Sequence, residues 1–375
     1  MTIMRRVTLA GLGVGLLLLA VLGTPAGAAQ LRPEDAVNRG VVELETESAS
    51  GISVRIAEDL AHLIDDGTTR RLIPVVGKAA LQNIADLKLL RGIDLALLQT
   101  DVLDYARQKK LYPGIENSIT YIAKLYNAEF HLLARPEIKS VGDLAGKKVN
   151  VDVIGASTAI TAGRIFELLN IAVATTNDIP EVALDKLRKG EIAALAFMAG
   201  KPAPFIREVG GEDGLHLIAV PLSPAVAAVY VPTRFTAEDY PALVAPDRPV
   251  DTVAIGTVLA VANLQGIAQR YRNVANFVDA FFSGFQSLLE PGNHAKWREV
   301  NIAAEFPGWQ RFRPAEEWLQ RNAQPAVTAD LRDLKTIFMH FIEERQQAGG
   351  GSAMSQDQKD ELFKQFELWQ KGQRR

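Results

Sequence analysis

Three loops in this sequence combine glycine with hydroxyl side chains directly before a predicted helix. They lie at 48–53, 77–83 and 155–161. A helix N-terminus presents unpaired backbone N–H groups and a partial positive charge, which suits a carboxylate or another anion. Each loop alone is equally well explained as an ordinary capped helix start. The three together favour an anion-binding site, to which Lys78 adds a full charge unless it is a solvated surface residue.

The residue patterns of common enzyme and metal sites are not found in the sequence. The five histidines are scattered and have no paired-ligand spacing; they are His62, His131, His216, His294 and His340. The chain contains no cysteine, and it lacks the G-x-S-x-G, phosphate-loop and dinucleotide-binding motifs. We therefore expect no catalytic residue, no metal and no cofactor.

The charge balance argues against a nucleic-acid partner. Lysine and arginine number 41 against 44 acidic residues, and the formal net charge is -3. No basic stripe with interleaved aromatic residues occurs, so the usual footprint for phosphate backbones is missing. The length of 375 residues suggests about two domains.

The N-terminus has the composition of a secretory signal peptide. Arg5 and Arg6 precede an apolar run at 7–22, and small residues follow at 26–29. This order predicts a signal peptide at 1–28 that is cleaved after Ala28. The alternative is an uncleaved anchor helix, but the run is shorter than the roughly 20 residues that a bilayer span needs. We expect export to a bacterial periplasm and a soluble mature protein.

Short apolar segments alternate with amphipathic helices, which is the βαβ rhythm of a parallel sheet. Helices are predicted at 53–65, 79–91, from the 155–158 loop to 169, and at 181–189. Strands are predicted at 41–44, 71–76, 94–98, 118–125, 129–134, 147–153, 192–198, 215–220, 226–231 and 253–261. Ser140 and Asp143 predict a capping box at the start of a short helix that stops at Gly146.

Two βαβ series separated by extended segments predict two α/β lobes that face each other across a cleft, where small-molecule sites usually form. We expect the first lobe at 29–126, the second at 127–230, and a return to the first at 231–265. A hinge near Tyr126 and Tyr230 would close the lobes over a ligand.

The C-terminal part of the sequence has a different composition. Aromatic-rich helices are predicted at 266–348, and a glycine-rich linker and an amphipathic helix at 349–375. The last helix places Leu362, Phe366 and Trp369 on one face. This face either docks on the chain's own lobe or binds a protein partner.

Several segments resemble one family of transport receptors. The stretches 76–83 (VGKAALQN) and 87–101 (LKLLRGIDLALLQTD) resemble TAXI-type solute receptors of TRAP transporters. The stretches 140–149 (SVGDLAGKKV) and 155–158 (GAST) are similar to the second-lobe entry of type II periplasmic binding proteins. The first loop, 45–54 (ETESASGISV), lacks two of the glycines and the tyrosine pair that the family usually has there.

The resemblance implies a two-lobed type II periplasmic-binding-protein fold with a helical C-terminal extension and no catalysis. It implies a receptor for glutamate, glutamine or a 2-oxoacid that delivers its ligand to a TRAP membrane permease. The alternative is a sensory or scaffold protein that keeps this fold and binds a protein. With Lys78 and Thr161 from the anion-suited loops, the expected ligand-binding residues are Ser48, Ser50, Gly51, Ser53, Gly77, Asn83, Gln99, Thr100, Ser157, Thr158, Gly200 and Pro202.

Overall fold

The computed structural model describes residues 40–47, 51–264 and 266–322 of the chain. The predicted signal peptide at 1–28 lies outside the described residues, as do Ser48 and Ser50. The predicted linker and terminal helix at 349–375, with Leu362, Phe366 and Trp369, lie outside them too. Within the described part, no helix is long and apolar enough to cross a membrane.

The described residues form a mixture of strands and helices. The strands are β1 (Val41–Thr46), β2 (Arg71–Val76), β3 (Leu95–Gln99), β4 (Ile119–Ala134), β5 (Lys148–Asn150), β6 (Ala174–Thr176), β7 (Ala194–Ala199), β8 (His216–Leu217), β9 (Val231–Phe235) and β10 (Val250–Ala262). The α-helices are α1 (Ile52–Ile64), α2 (Ala80–Leu89), α3 (Thr100–Gln108), α4 (Ile115–Ser118), α5 (Ser157–Leu168), α6 (Pro180–Arg188), α7 (Pro204–Arg207), α8 (Pro224–Ala227), α9 (Ala268–Ser283) and α10 (Arg313–Asn322). Short 3₁₀ helices occupy Val141–Leu144, Gly211–Asp213, Phe285–Leu289 and Ala295–Glu299.

Two long strands join two lobes. The sheet order is β2-β1-β3-β10-β4-β7-β5-β6, and β4 and β10 are antiparallel neighbours at its centre. In β4, Tyr126 packs in one hydrophobic cluster and Ala128 in another; in β10, Val258 and Ile255 divide between the same two clusters. The predicted two-lobed α/β fold is thus confirmed, and the chain crosses between the lobes through β4 and β10.

The first lobe is built on β2, β1 and β3, which are parallel to one another. α1 buries Ile56, Leu60 and Ile64, whose spacing of four residues places them on one face of the helix. α9 adds Phe277 and Phe281 to the same core. The helical periodicity that predicts α1 therefore also identifies the face on which it packs.

The second lobe contains β7, β5 and β6, which are also mutually parallel. A separate cluster of buried residues in this lobe includes Phe235, Tyr240 and Val244 together with Leu133. β9 pairs with the first half of β10, which also packs in this lobe. The return to the first lobe consequently occurs within β10, later in the chain than the expected boundary at residue 231.

The strand predicted at 226–231 is wrong. Ser223 accepts a hydrogen bond from the N–H of Val226, and Pro224 occupies the first turn of α8. A proline in the first turn and a serine cap favour a helix start over a strand. The next strand, β9, begins only at Val231. The capping box predicted at Ser140 and Asp143 is confirmed, although the helix that follows is a single 3₁₀ turn.

A buried ion pair lies at the boundary between the lobes. The Lys296 ammonium donates to Glu129 Oε1 at 2.6 Å, and both side chains are almost completely buried. Glu129 Oε2 also accepts the backbone N–H of Lys201 at 2.7 Å. The neighbouring Trp297 donates its indole N–H to Asp59 of α1 at 2.9 Å. The segment Ala295–Glu299 therefore connects the first lobe to β4 at the crossing.

We predict that Lys296→Met destabilises the chain by about 3–5 kcal/mol, because it leaves the Glu129 carboxylate buried without its counter-charge. Chemical denaturation measures this loss. Glu299→Gln is the control, since Glu299 is the more exposed partner of Lys296 and its loss should cost at most about 1 kcal/mol. A Lys296→Met variant no less stable than Glu299→Gln would contradict the role of the pair.

Candidate functional site

A cavity of about 310 Å³ lies between the two lobes, next to the crossing strands β4 and β10. Its floor is formed by Tyr126 and Ala128 of β4 and Thr257 of β10. Its apolar lining comes from Ile52, Leu97, Val153, Ala156, Ile179, Pro180, Phe197, Met198 and Ala199. A cavity of this size at the junction of two lobes has the usual dimensions of a small-molecule site.

Half of the residues predicted to bind ligand line this cavity. They are Gly51, Ser53, Lys78, Gln99, Ser157, Thr158 and Gly200. They come from the starts of α1 and α5, from the loop before α2 and from the ends of β3 and β7, so residues distant in sequence meet at one place. The other described candidates do not line it; they are Gly77, Asn83, Thr100, Thr161 and Pro202.

Gly77 and Asn83 shape the loop before α2 rather than the cavity wall. Both donate to the Thr46 carbonyl, Gly77 through its backbone N–H at 2.8 Å and Asn83 through Nδ2 at 3.1 Å. A Cβ atom at Gly77 would overlap the Asn83 side-chain oxygen. Glycine is therefore required by close packing here, and the two residues hold α2 against the end of β1.

Thr161 belongs to a second polar contact between the lobes. Its hydroxyl donates to Asp101 Oδ2 at 2.7 Å, and the Tyr230 hydroxyl donates to the same oxygen at 3.1 Å. Asp101, on α3 of the first lobe, is 8% exposed, and burial raises the pKa of its carboxyl. Thr100 and Asp101 line a separate cavity of about 390 Å³. The predicted residues Thr161 and Tyr230 thus join the lobes outside the main cleft.

Three acidic residues of the cleft were not among the predicted site residues: Glu47, Asp152 and Glu181. Glu47 follows β1, Asp152 precedes the loop that starts α5, and Glu181 lies in the first turn of α6. Lys78 is the basic residue among the described residues of the lining. Glu47 lies in the first-loop stretch 45–54 and Asp152 lies between two quoted stretches, whereas Glu181 is outside all of them, and nothing in the spacing of the three acids indicates that they meet.

The Glu47 carboxylate is bound by the start of a helix in the other lobe. Its Oε1 accepts the backbone N–H of Ser157, the first residue of α5, at 2.7 Å. Burial raises the pKa of Glu47; hydrogen bonds from Ser157 and from the backbone N–H of Ala80 act in the opposite direction, and the nearby charge of Asp152 raises the pKa further. Because Ala80 is the first residue of α2, Glu47 lies between two helix N-termini, one in each lobe.

The lobes are also in direct contact at this edge of the cleft. The backbone N–H of Leu81 in α2 donates to the Gly155 carbonyl of the second lobe at 3.0 Å. Gly155 has a φ of 86°, which glycine adopts without strain. At Gly200, a Cβ atom would overlap the Ile52 side chain from the first lobe. The cleft is therefore closed on this side, and two glycines allow the approach.

A model of the NMT1-like family matches residues 44–275, which is more than half of the chain. The chain therefore belongs to the NMT1-like family. The matched residues include both lobes and every described residue that lines the cleft.

Several solved structures are similar to this chain at low identity. One is the alkanesulfonate-binding protein SsuA from Xanthomonas axonopodis pv. citri bound to MOPS, with 14% identity, a TM-score of 0.42, and coverage of 82% of this chain and 93% of that chain. Another is the periplasmic binding protein BugD, with 12% identity, a TM-score of 0.44, and coverage of 70% and 88%. A third is an ancestral arginine-binding protein bound to arginine, with 13% identity, a TM-score of 0.40, and coverage of 70% and 97%. At these identities and TM-scores, the similarities decide nothing about the ligand of this chain.

We predict that the free energy of unfolding of Asp101→Asn, measured relative to that of the wild type, increases as the pH rises from about 4, the ordinary pKa of an aspartate. The raised pKa means that the folded wild type binds its proton more tightly than the unfolded chain does, so ionisation disfavours folding. Asparagine keeps the acceptor for Thr161 and Tyr230 and does not titrate. Urea unfolding midpoints at a series of pH values measure the difference.

Asp143→Asn is the control for this pH series, because the expected sign is opposite. Hydrogen bonds from the backbone N–H groups of Lys139 and Ser140 and from the Ser140 hydroxyl lower the pKa of Asp143. Its contribution is present above the unfolded pKa and is lost as the pH falls through the lowered one. The variant should therefore be less stable than the wild type at neutral pH and should approach it in acid. Parallel pH profiles for the two variants would contradict the interpretation of Asp101.

Proposed function

We propose that this member of the NMT1-like family is a periplasmic receptor that binds a small polar solute between its two lobes without turning it over. The observation that carries the proposal is the cavity of about 310 Å³ at the crossing of β4 and β10, lined from both lobes. A ligand placed there contacts both lobes at once. Its binding free energy therefore favours the closed arrangement over an open one.

The solute that we propose is a small organic acid or an amino acid of the glutamate, glutamine or 2-oxoacid class. The TAXI-like motifs of the sequence support this class, and so does the mixture of polar and apolar side chains around the cavity. Ser53, Gln99 and Thr257 are available as hydrogen-bonding groups, whereas Phe197 and Met198 contribute apolar surface. A few polar groups in an apolar wall are typical of sites for small solutes.

The proposed hinge is the pair of crossing strands. Tyr126 lies at the crossing in β4, and the register between β4 and β10 shifts between Gly256 and Val258. An irregular ladder bends more readily than a regular one, so closure needs no change within either lobe. We propose that a TRAP-type membrane permease recognises the closed form, as the resemblance to TAXI receptors implies.

We predict that at least one solute from a panel of amino acids, 2-oxoacids, dicarboxylates and small amines raises the melting temperature of the protein. A ligand at 100 times its Kd adds about 2.7 kcal/mol to the stability of the folded state. The protein is first unfolded and refolded to remove any solute that copurifies with it. If no member of the panel shifts the melting temperature of refolded protein with a native circular-dichroism spectrum, the proposed function is wrong.

A permease is tested separately by reconstitution with the receptor in vesicles. Uptake of the bound solute that depends on the receptor would support the TRAP-type assignment, and binding without receptor-dependent uptake would contradict it. Solute binding and delivery are in this way distinguished from each other.

A further inference from the structure

We propose that Glu47 is a specificity-determining residue that occupies the carboxylate position of the cleft, so that the solute is recognised through an amino group. This inference rests on the proposed receptor function and narrows its ligand class: it favours solutes that carry an amino group, such as amino acids, over 2-oxoacids and dicarboxylates. It concerns the side chain that meets the incoming solute, and it assigns to Glu47 a role that the family resemblance does not give it.

The first step is the position of Glu47 between two helices. α2 has ten residues and α5 has twelve, and neither has a side-chain cap at its N-terminus. The Glu47 carboxylate accepts the first N–H of α5 at 2.7 Å and interacts with the first N–H of α2. These are the groups that would otherwise bind the carboxylate of a ligand. The chain therefore supplies its own anion at the place where the sequence predicts an anion site.

The second step is the rigidity of the residue that carries this carboxylate. Glu47 directly follows β1, whose last two residues, Glu45 and Thr46, are buried. The backbone of β1 pairs with β2 up to Thr46. The Glu47 side chain is thus presented from the end of a paired strand, and its carboxylate reaches the Ser157 N–H of the other lobe.

The third step is the charge of the other side chains that line the cavity and that a ligand would contact. Asp152 and Glu181 of the second lobe line the same cavity as Glu47, and Lys78 of the first lobe is exposed at its edge. The carboxyl of Asp152 has a raised pKa, because burial and the charge of Glu181 both disfavour its ionised form. An ammonium group placed among these acids relieves their repulsion, whereas a second carboxylate adds to it.

The test uses three compounds with the same four-carbon chain: putrescine with two amines, γ-aminobutyrate with one amine and one carboxylate, and succinate with two carboxylates. Isothermal titration of the refolded wild type should show at least one amine-bearing compound binding roughly tenfold or more tightly than succinate. In Glu47→Ala, where the helix N-termini are vacated, succinate should gain roughly tenfold or more relative to the amine-bearing compounds.

Glu181→Gln is the matched control, because it removes one negative charge from the exposed edge of the same cavity without touching the helix N-termini. It should lower the preference of the wild type for amines by clearly less than the roughly tenfold expected of Glu47→Ala, because it removes a cavity charge but vacates no helix N-terminus. Glu47→Ser, whose side chain is also too short to occupy the helix N-termini, replaces Glu47→Ala if the alanine variant does not fold, and the same roughly tenfold gain for succinate is expected.

Two outcomes would overturn the role of Glu47 and leave the proposed function standing. One is a wild type that binds succinate at least as tightly as the amines. The other is a folded Glu47 variant whose preference among the three compounds equals that of Glu181→Gln. If neither these compounds nor any member of the wider panel binds, the proposed function itself fails.

Discussion

The pairing of β4 with β10 is the constraint that determines where the cleft lies. Both strands run from one hydrophobic cluster into the other, and their register is irregular between Gly256 and Val258. A bulge redirects nearby side chains and increases the local twist of the sheet. Tyr126 and Thr257, which lie at this irregularity, form the floor of the cavity. The irregular register between β4 and β10 therefore accounts both for the local twist of the sheet and for the position of the cavity floor.

The C-terminal segment adds a third connection at the same place. Lys296 pairs with Glu129 just beyond the crossing in β4, while Trp297 and His294 both donate to Asp59 on α1. Moving the segment away would leave a charge buried without its partner, which is strongly unfavourable. The segment thus limits the conformations that β4 can adopt at the crossing.

Much of the fold could be predicted from periodicity, but the contacts between lobes could not. The predicted bounds of β2 equal those observed, and α1 differs by one residue at each end. α3 was missed because it starts directly after β3 without a glycine or a proline, and because its Asp101 is buried where a helix pattern would place an apolar residue. Glu47 and Ser157 are 110 residues apart, and no local pattern indicates that they meet. The geometry of the site depends on contacts between residues this far apart in sequence. The loops that form the site could therefore be predicted, but the residues that they contact could not.

The contact between Glu47 and Ser157 also determines which ligand charge the cleft attracts. Helix N-termini at 77–83 and 155–161 suit a carboxylate, and in the folded chain that carboxylate is Glu47. A short tether holds a group at an effective concentration in about the millimolar range. A free carboxylate that binds the helix ends no more tightly than Glu47 does must exceed that concentration to displace it. An ammonium group faces no such competition, because it binds to the acidic cleft that remains after Glu47 has satisfied the helices.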